Sequence, residues 1–198
     1  MPSLRRPGTL RRVDGNTRVR GIAFENLVGA ARALYGVDVA ERLRREGTGL
    51  GLEHLRAGTL DTTAFYPITE LAENERALAK LVGGGDEVAF AIGQFALEDH
   101  LPRVFRLFLR VLHPGFVLDR GTSIMRRYFD RGHLEVTRRG AHEARLVARD
   151  LPGFDATLWA DFRGATTATL SVAGARGVEV ALVEGGEADH ASFVARWR

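Results

Sequence analysis

The chain has 198 residues, of which 27% are charged and none is cysteine. This length suffices for one domain with a substantial core or for two small domains. The absence of cysteine excludes disulfides, cysteine-ligated zinc, iron–sulfur clusters and a cysteine nucleophile. The longest apolar runs are much shorter than the ~20 residues that span a bilayer, so we expect a cytoplasmic protein without a membrane span.

The charge is distributed unevenly along the chain, although the net charge is only +3. Residues 1–20 contain six Arg and one Asp, and residues 100–150 contain eleven Arg against five acids. Residues 21–99 have the opposite balance, with seven bases against thirteen acids. Because the N-terminal arginines contribute much of the positive charge, we expect a near-neutral body, which disfavours nucleic-acid binding.

Residues 1–17 predict a flexible basic arm, because Pro, Gly and Asn interrupt every periodicity there. The following apolar residues recur three and four positions apart and predict a helix that ends at Gly36. Asp38 is expected to cap a second, short helix that ends before Gly47. Residues 46–66 are rich in glycine and predict irregular structure.

Pro67 suits the first turn of the next helix. Three glutamates are expected on the solvent side of that helix, opposite its apolar stripe: Glu70, Glu73 and Glu75. Asp86 is expected to cap the helix after it. Residues 101–112 are almost entirely apolar and predict a buried helix, and a further helix is expected over about 116–129.

After Gly132 the apolar period changes from that of a helix to that of a strand. Alternating residues predict one β-hairpin over about 133–149 and a second over about 178–197. A helix over about 154–172 separates the two hairpins. Helices segregated from a small antiparallel sheet define an α+β domain, which we expect to be a single domain over residues 18–198.

No pattern typical of a catalytic or metal site is present in the sequence. The six histidines lack the helical spacing of zinc ligands, and none of the four serines lies in a Gly-x-Ser-x-Gly motif. We therefore expect no enzymatic activity, no metal and no cofactor. Haem with His100 as its axial ligand is the alternative, and a histidine at a helix end is the simpler interpretation of that residue.

Two groups of side chains are candidates for binding. Five arginines form the densest basic cluster, which either binds an acidic partner or is a solvated surface: Arg126, Arg127, Arg131, Arg138 and Arg139. Seven aromatic residues lie on helices expected to meet the sheet, where they either pack in the core or line an apolar pocket: Phe95, Phe105, Phe108, Tyr128, Phe129, Trp159 and Phe162.

Residues 109–115 (LRVLHPG), 125–136 (MRRYFDRGHLEV) and 174–180 (GARGVEV) carry a family resemblance. They resemble a myxobacterial paralogous family of unknown function, over about residues 18–198. That family is distantly similar to a superfamily that includes haem–nitric-oxide-binding domains, 4-vinyl-reductase-type domains and TRAPP vesicle-tethering subunits. The resemblance implies helices packed on an antiparallel sheet, often as a homodimer and often with an apolar cavity.

The sequence also departs from that superfamily. It lacks the Tyr-x-Ser-x-Arg motif that holds haem propionates, and it has no cysteine for a metal or an acyl chain. Haem, zinc and lipidation are therefore not implied for this chain.

These observations lead to three functional hypotheses. The first is a non-enzymatic regulatory or sensory module that binds a small apolar ligand, dimerises, or does both. The second is a protein–protein adaptor without a ligand, whose arginine-rich region 100–150 docks an acidic partner. The third and least favoured is nucleic-acid binding through the arm and the arginine cluster.

Overall fold

The computed structural model describes residues 15–100 and 114–198, with residues 98–100 described by their backbone only. The elements, in chain order, are β1 (Arg18–Arg20), α1 (Ile22–Tyr35), α2 (Val37–Glu46), α3 (Leu50–Ala57), β2 (Phe65–Pro67), α4 (Ile68–Val82), α5 (Asp86–His100), α6 (Pro114–Asp119), α7 (Gly121–Tyr128), β3 (His133–Arg138), β4 (Glu143–Arg149), α8 (Ala156–Val172), β5 (Glu179–Gly185) and β6 (Ala191–Arg196). Helices segregated from antiparallel strands confirm the α+β class.

Four antiparallel strands form the main sheet in the order β3-β4-β6-β5. The two predicted hairpins therefore join through β4 and β6, where Leu146 lies opposite Phe193. Alternate residues of β4 are buried, as expected for a strand with one face on the core. Five consecutive residues of the central strand β6 are buried, so this strand is covered on both faces.

Helices α5 and α8 cross with their backbones in direct contact. A Cβ atom at Gly93 would collide with the carbonyl oxygen of Asp161, and one at Gly164 would collide with that of Phe90. Only glycine fits at these two positions, because a side chain would push the helices apart. The crossing fixes α8, and with it Asp161, against the middle of α5.

An aromatic cluster anchors α8 to the sheet. Trp159 is almost fully buried, and its ring lies 4.7 Å from that of Phe154 and 5.8 Å from that of Phe193, measured between centroids. Its indole N–H donates to the carbonyl oxygen of Ala188 at 2.8 Å. Because both its apolar surface and its polar atom are satisfied, Trp159 has a structural role in the core.

The prediction of irregular structure over 46–66 is wrong, because these residues contain α3. The glycines lie where a helix tolerates them. Gly49 precedes α3 and Gly58 follows it, both with positive φ, as at many helix ends. Gly51 lies within α3 against the ring of Phe24, and a Cβ atom there would collide with that ring.

Two further boundaries differ from the prediction. The helix expected over 116–129 is two helices, α6 and α7, interrupted at Arg120. Asp38 lies within the first turn of α2, and Gly36 occupies the N-cap position that we predicted for it. The buried helix predicted over 101–112 lies outside the described residues.

The N-terminal boundary of the folded body lies earlier than predicted. Thr17, assigned to the arm, is fully buried; its N–H donates to the Pro152 carbonyl at 2.7 Å, and its carbonyl accepts the Ile68 N–H at 3.1 Å. It leads into β1, which pairs with β2 as a short antiparallel ladder that the sequence did not predict. The part of the arm over residues 1–14 lies outside the described residues. No helix in the described part of the chain is long and apolar enough to cross a membrane.

Candidate ligand-binding cavity

A cavity of about 160 Å³ lies at the centre of the fold, where α1, α4, α5, α7 and α8 meet the sheet. Its walls are mainly apolar and include Ile68, Ile92, Ile124, Met125 and Leu146. An engineered apolar cavity of similar size, ~150 Å³, binds benzene. Sites for drug-sized ligands are larger, roughly 300–1,000 Å³, so this cavity suits a molecule built around one small ring.

The cavity contains some of the predicted aromatic side chains. Tyr128, Phe129 and Phe162 line it. Trp159 and Phe95 do not, because Trp159 is enclosed in the aromatic cluster of the core and Phe95 packs against the edge of that core. The other two candidates, Phe105 and Phe108, lie outside the described residues.

Two acids and an amide that the sequence did not assign to a binding site also line the cavity: Glu75, Asp161 and Asn26. Glu75 is completely buried, Asn26 is 7% exposed and Asp161 is partly buried. The Oδ1 atom of Asn26 has no hydrogen-bond partner among the described residues, and no donor group of those residues reaches either carboxyl oxygen of Glu75. A mainly apolar cavity therefore contains unsatisfied acceptors.

Glu75 on α4 and Asp161 on α8 form a carboxyl pair that shares a hydrogen bond. Burial raises the pKa of Glu75 well above its usual value, and the charge of Asp161 raises it further; the charge of Asp155 acts in the same direction and that of Arg76 opposes it. Burial also raises the pKa of Asp161, to about 6, although its hydrogen bond with Glu75 lowers it. Two adjacent buried carboxyls cannot both ionise readily, so we expect the pair to retain one proton near neutral pH.

The prediction that Glu75 faces solvent is wrong. Glu75 follows Leu71 by four residues and precedes Leu78 by three, which places it on the apolar face of α4. Asp161 follows Leu158 by three residues and precedes Ala165 by four, which likewise places it on the apolar face of α8. An acid at an apolar position of two different helices was the signal in the sequence that could have identified this pair.

The other two glutamates of α4 differ from each other. Glu73 is exposed, as predicted. Glu70 is partly buried, and its carboxylate accepts the Gly51 N–H at 3.2 Å. Burial raises the pKa of Glu70, and the backbone N–H groups of Gly51 and Leu50 oppose that change. Glu70 therefore holds the start of α3 against α4.

The predicted arginine cluster is partly neutralised within the fold. Arg131 forms an ion pair with Asp130 at 3.5 Å, and Arg138 forms one with Asp119 at 2.6 Å. The three remaining members are exposed and have no ion-pair partner within the described ranges: Arg126, Arg127 and Arg139. Binding of an acidic partner by these side chains stays a prediction.

The described walls of the cavity do not fit a haem. Haem iron is held by His, Cys, Met or Tyr side chains, and these walls contain Met125 and Tyr128 but neither a His nor a Cys. A haem brings two propionates, whereas the charged side chains of the described lining are the acids Glu75 and Asp161. His100, the candidate axial ligand, is described by its backbone only. Across residues 15–97 and 114–198, no group of three or more His, Asp or Glu side chains could hold a metal ion.

No protein-family model matches this sequence, and neither does any curated protein. The resemblance to a myxobacterial family therefore stays a prediction. Solved structures of H-NOX (haem–nitric-oxide-binding) proteins do match the fold.

An H-NOX protein from S. oneidensis in the Fe(II)NO state aligns with a TM-score of 0.69 at 15% identity, over 90% of this chain and 99% of that one. The Fe(II) unliganded H-NOX protein from K. algicida aligns with a TM-score of 0.67 at 12% identity, over 90% and 96% of the chains. An oxygen-binding H-NOX domain related to soluble guanylate cyclases gives a TM-score of 0.66 at 11% identity, over 90% and 95%. The chain therefore has a fold similar to that of H-NOX domains.

Proposed function

We propose that this protein is a non-enzymatic sensory or regulatory module that binds a small, mainly apolar molecule in the cavity between its helices and its sheet. The observation that carries the proposal is the central cavity of about 160 Å³, with unsatisfied acceptors on its otherwise apolar walls. The fold supports it, because the similar solved structures include a domain named for binding oxygen. We expect a ligand other than haem, because the charged side chains of the described lining are acids, which do not complement haem propionates.

The expected affinity follows from the size of the cavity. A single aromatic ring buries roughly 150–250 Å², which at about 25 cal/mol per Å² gives about 5 kcal/mol of transfer free energy. The loss of translational and rotational freedom offsets part of this gain. We therefore expect purely apolar probes to bind with dissociation constants in the high-micromolar to millimolar range.

Methyl NMR with toluene as the probe tests the proposed site. Four labelled methyl-bearing residues line the cavity: Ile68, Ile92, Ile124 and Met125. Ile22, at the start of α1, does not line it and serves as an internal control. We expect saturable shifts at the cavity methyls and little change at Ile22. Equal changes at all these methyls, or none at any of them, would contradict the proposal.

A pair of substitutions on α8 provides a matched control. Ala165→Leu places a larger side chain into the cavity, because Ala165 lines it. Ala156→Leu makes the same chemical change at an exposed position of the same helix. We expect Ala165→Leu to weaken toluene binding at least tenfold and Ala156→Leu to leave it unchanged, as measured by the same methyl titration.

Homodimerisation remains part of this proposal. Strand β5 is at an edge of the main sheet and exposes Leu182 and Val183. Exposed apolar edge strands pair readily with other chains. We therefore expect β5 to form an interface with a second copy of this chain. Light scattering after size exclusion should give a dimer for the wild type and a monomer for Val183→Lys. A monomeric wild type would remove dimerisation from the proposal.

Haem is the alternative occupant suggested by the fold. Titration with haemin followed by absorption spectroscopy separates the two occupants, with His100→Ala and His113→Ala as the matched variants. We expect no stoichiometric haem complex. A one-to-one complex whose spectrum changes in either variant would contradict the exclusion of haem and identify its ligand.

A further inference from the structure

We propose that the cavity ligand carries a protonated amine, which Glu75, Asp161 and Asn26 bind while its apolar body fills the rest of the cavity. This inference rests on the proposed function and specifies the class of ligand.

The first argument is the excess of acceptors on the cavity walls. Apart from the hydrogen bond that it shares with Asp161, the carboxyl group of Glu75 has no donor from the described chain, and the Oδ1 atom of Asn26 has none. Thr166 and Thr169 also line the cavity, but each hydroxyl already donates to a backbone carbonyl of α8, at 2.8 and 2.7 Å. An ammonium group has three N–H donors and no acceptor, so its hydrogen bonding complements these walls.

The second argument is the charge around the carboxyl pair. The described lining contains no Arg, Lys or His. The cationic side chain that acts on Glu75 is Arg76, which is engaged in an ion pair with Asp155. The charges of Arg76 and Asp155 thus offset each other, whereas the charge of Asp161 acts on Glu75 without a described cation inside the cavity to compensate it. A cationic ligand would supply the missing countercharge.

The third argument concerns Asn26, which is independent of the acids. It lies on α1, whereas Glu75 and Asp161 lie on α4 and α8. Buried amide oxygens are almost always hydrogen-bonded in folded proteins, and an exception calls for an explanation such as a bound group. Three helices thus present acceptors to one cavity, which is the arrangement expected for a polar anchor of a ligand.

Binding of an ammonium group should displace the proton held by the carboxyl pair. The positive charge favours the ionised form of both acids, so their pKa values fall when the ligand is bound. The proton shared by Glu75 and Asp161 then leaves to solvent, and the ammonium N–H groups donate to the carboxylates in its place. Amine binding is therefore expected to release up to one proton and to weaken as the pH falls below about 6, the pKa of Asp161.

The test compares benzylamine with ethylbenzene, which has a methyl group in place of the amino group. Calorimetric titration at pH 7 should show that the wild type binds benzylamine at least tenfold more tightly. Repeating the titration in two buffers of different ionisation enthalpy should reveal the released proton, which a purely structural acid pair would not produce.

The double variant Glu75→Gln/Asp161→Asn keeps the shape of the pair and removes its charge. We expect it to lose the preference for benzylamine over ethylbenzene. Asn26→Leu serves as a second variant and should weaken benzylamine binding at least threefold. Circular dichroism checks that each variant is folded.

Two results would overturn the inference while leaving the proposed function intact: equal affinity of the wild type for both probes, or a preference for benzylamine that survives in the double variant. If neither probe binds the wild type, both the inference and the proposed function fail.

Discussion

Two adjacent residues of α4, Asn74 and Glu75, are both buried and polar, yet their surroundings differ completely. The side chain of Asn74 accepts the Thr48 N–H at 3.1 Å and donates to the carbonyls of Thr48 and Glu70, at 2.8 and 2.7 Å. Glu75 shares a hydrogen bond with Asp161 and has no donor from elsewhere in the described residues. Burial alone thus does not reveal whether a polar group has a structural or a binding role.

The difference follows from what each side chain faces. Asn74 closes the loop between α2 and α3 onto α4, and all of its contacts lie within the protein. Glu75 points about 100° further around the helix and lines the cavity. A satisfied buried network stabilises a fold, whereas a partly satisfied one costs free energy and is retained where function requires it. The predictions that follow test this distinction.

The largest effect is expected from the helix crossing that positions Asp161. Gly164→Ala places a Cβ atom against the Phe90 carbonyl and should lower the free energy of unfolding by about 3 kcal/mol, since overpacking forces backbone shifts. Gly140→Ala, at an exposed glycine with no atom within 4 Å of its added Cβ, should change it by less than about 0.5 kcal/mol. Urea unfolding measures both. Equal losses of unfolding free energy in the two variants would contradict the close contact between the backbones of α5 and α8.

The second largest loss of stability is expected at Asn74, the buried polar residue whose side chain is hydrogen-bonded within the protein. Asn74→Ala removes three partly buried hydrogen bonds from a buried side chain, so we expect a loss of about 2 kcal/mol in the free energy of unfolding. Asn26→Ala removes a buried amide whose oxygen is unpartnered and should cost clearly less. If chemical denaturation shows similar losses for both, the distinction between the two kinds of buried polar group is wrong.

The carboxyl pair should make stability depend on pH. The pKa of Asp161 is raised from 3.8 to about 6 in the folded state, so its stabilising effect is complete below about 3.8 and is lost as the pH rises through about 6. Each unit of such a difference corresponds to about 1.4 kcal/mol; because Asp161 is partly exposed, we expect roughly 1–2 kcal/mol in total. The raised pKa of Glu75 acts in the same direction and extends the loss to higher pH.

The reference for this measurement is the double variant Glu75→Gln/Asp161→Asn, whose pair does not titrate. We expect it to match the wild type near pH 4 and to be the more stable protein at pH 7. If the free energy of unfolding depends on pH in the same way in both proteins, the protonation of Glu75 and Asp161 is not coupled to folding.

The smallest effect is a gain in stability. Glu75→Met replaces the buried acid with an apolar side chain of similar length and should raise the free energy of unfolding by about 1 kcal/mol at pH 7. Glu73→Met, on the exposed face of the same helix, should change it by less than about 0.5 kcal/mol. A marked loss of stability in Glu75→Met would assign Glu75 a structural role.

The sequence predicted most of the fold because its signals are local. Apolar periodicity was sufficient for α1, α4 and α8, and alternation was sufficient for both hairpins. The short ladder of β1 and β2 was missed because three-residue strands carry too little pattern. Helix α3 was missed because its glycines were interpreted as breaks, although they lie at its ends or against Phe24.

The candidate site was harder to predict because it depends on contacts between distant parts of the chain. Tyr128, Phe129 and Phe162 were identified as pocket residues from their helical positions. Glu75 was assigned to solvent because charged side chains are rarely buried. Its pairing with Asp161 depends on how α4 and α8 approach each other, which no local pattern contains.

The most direct test of this account is an NMR titration of the Asp161 side-chain carboxyl carbon, without ligand and with saturating benzylamine. The account predicts a titration near pH 6 in the free protein, which moves to lower pH when benzylamine is bound. A titration near the ordinary aspartate value of 3.8, unchanged by benzylamine, would contradict both the proton-sharing pair and its role in binding a cation.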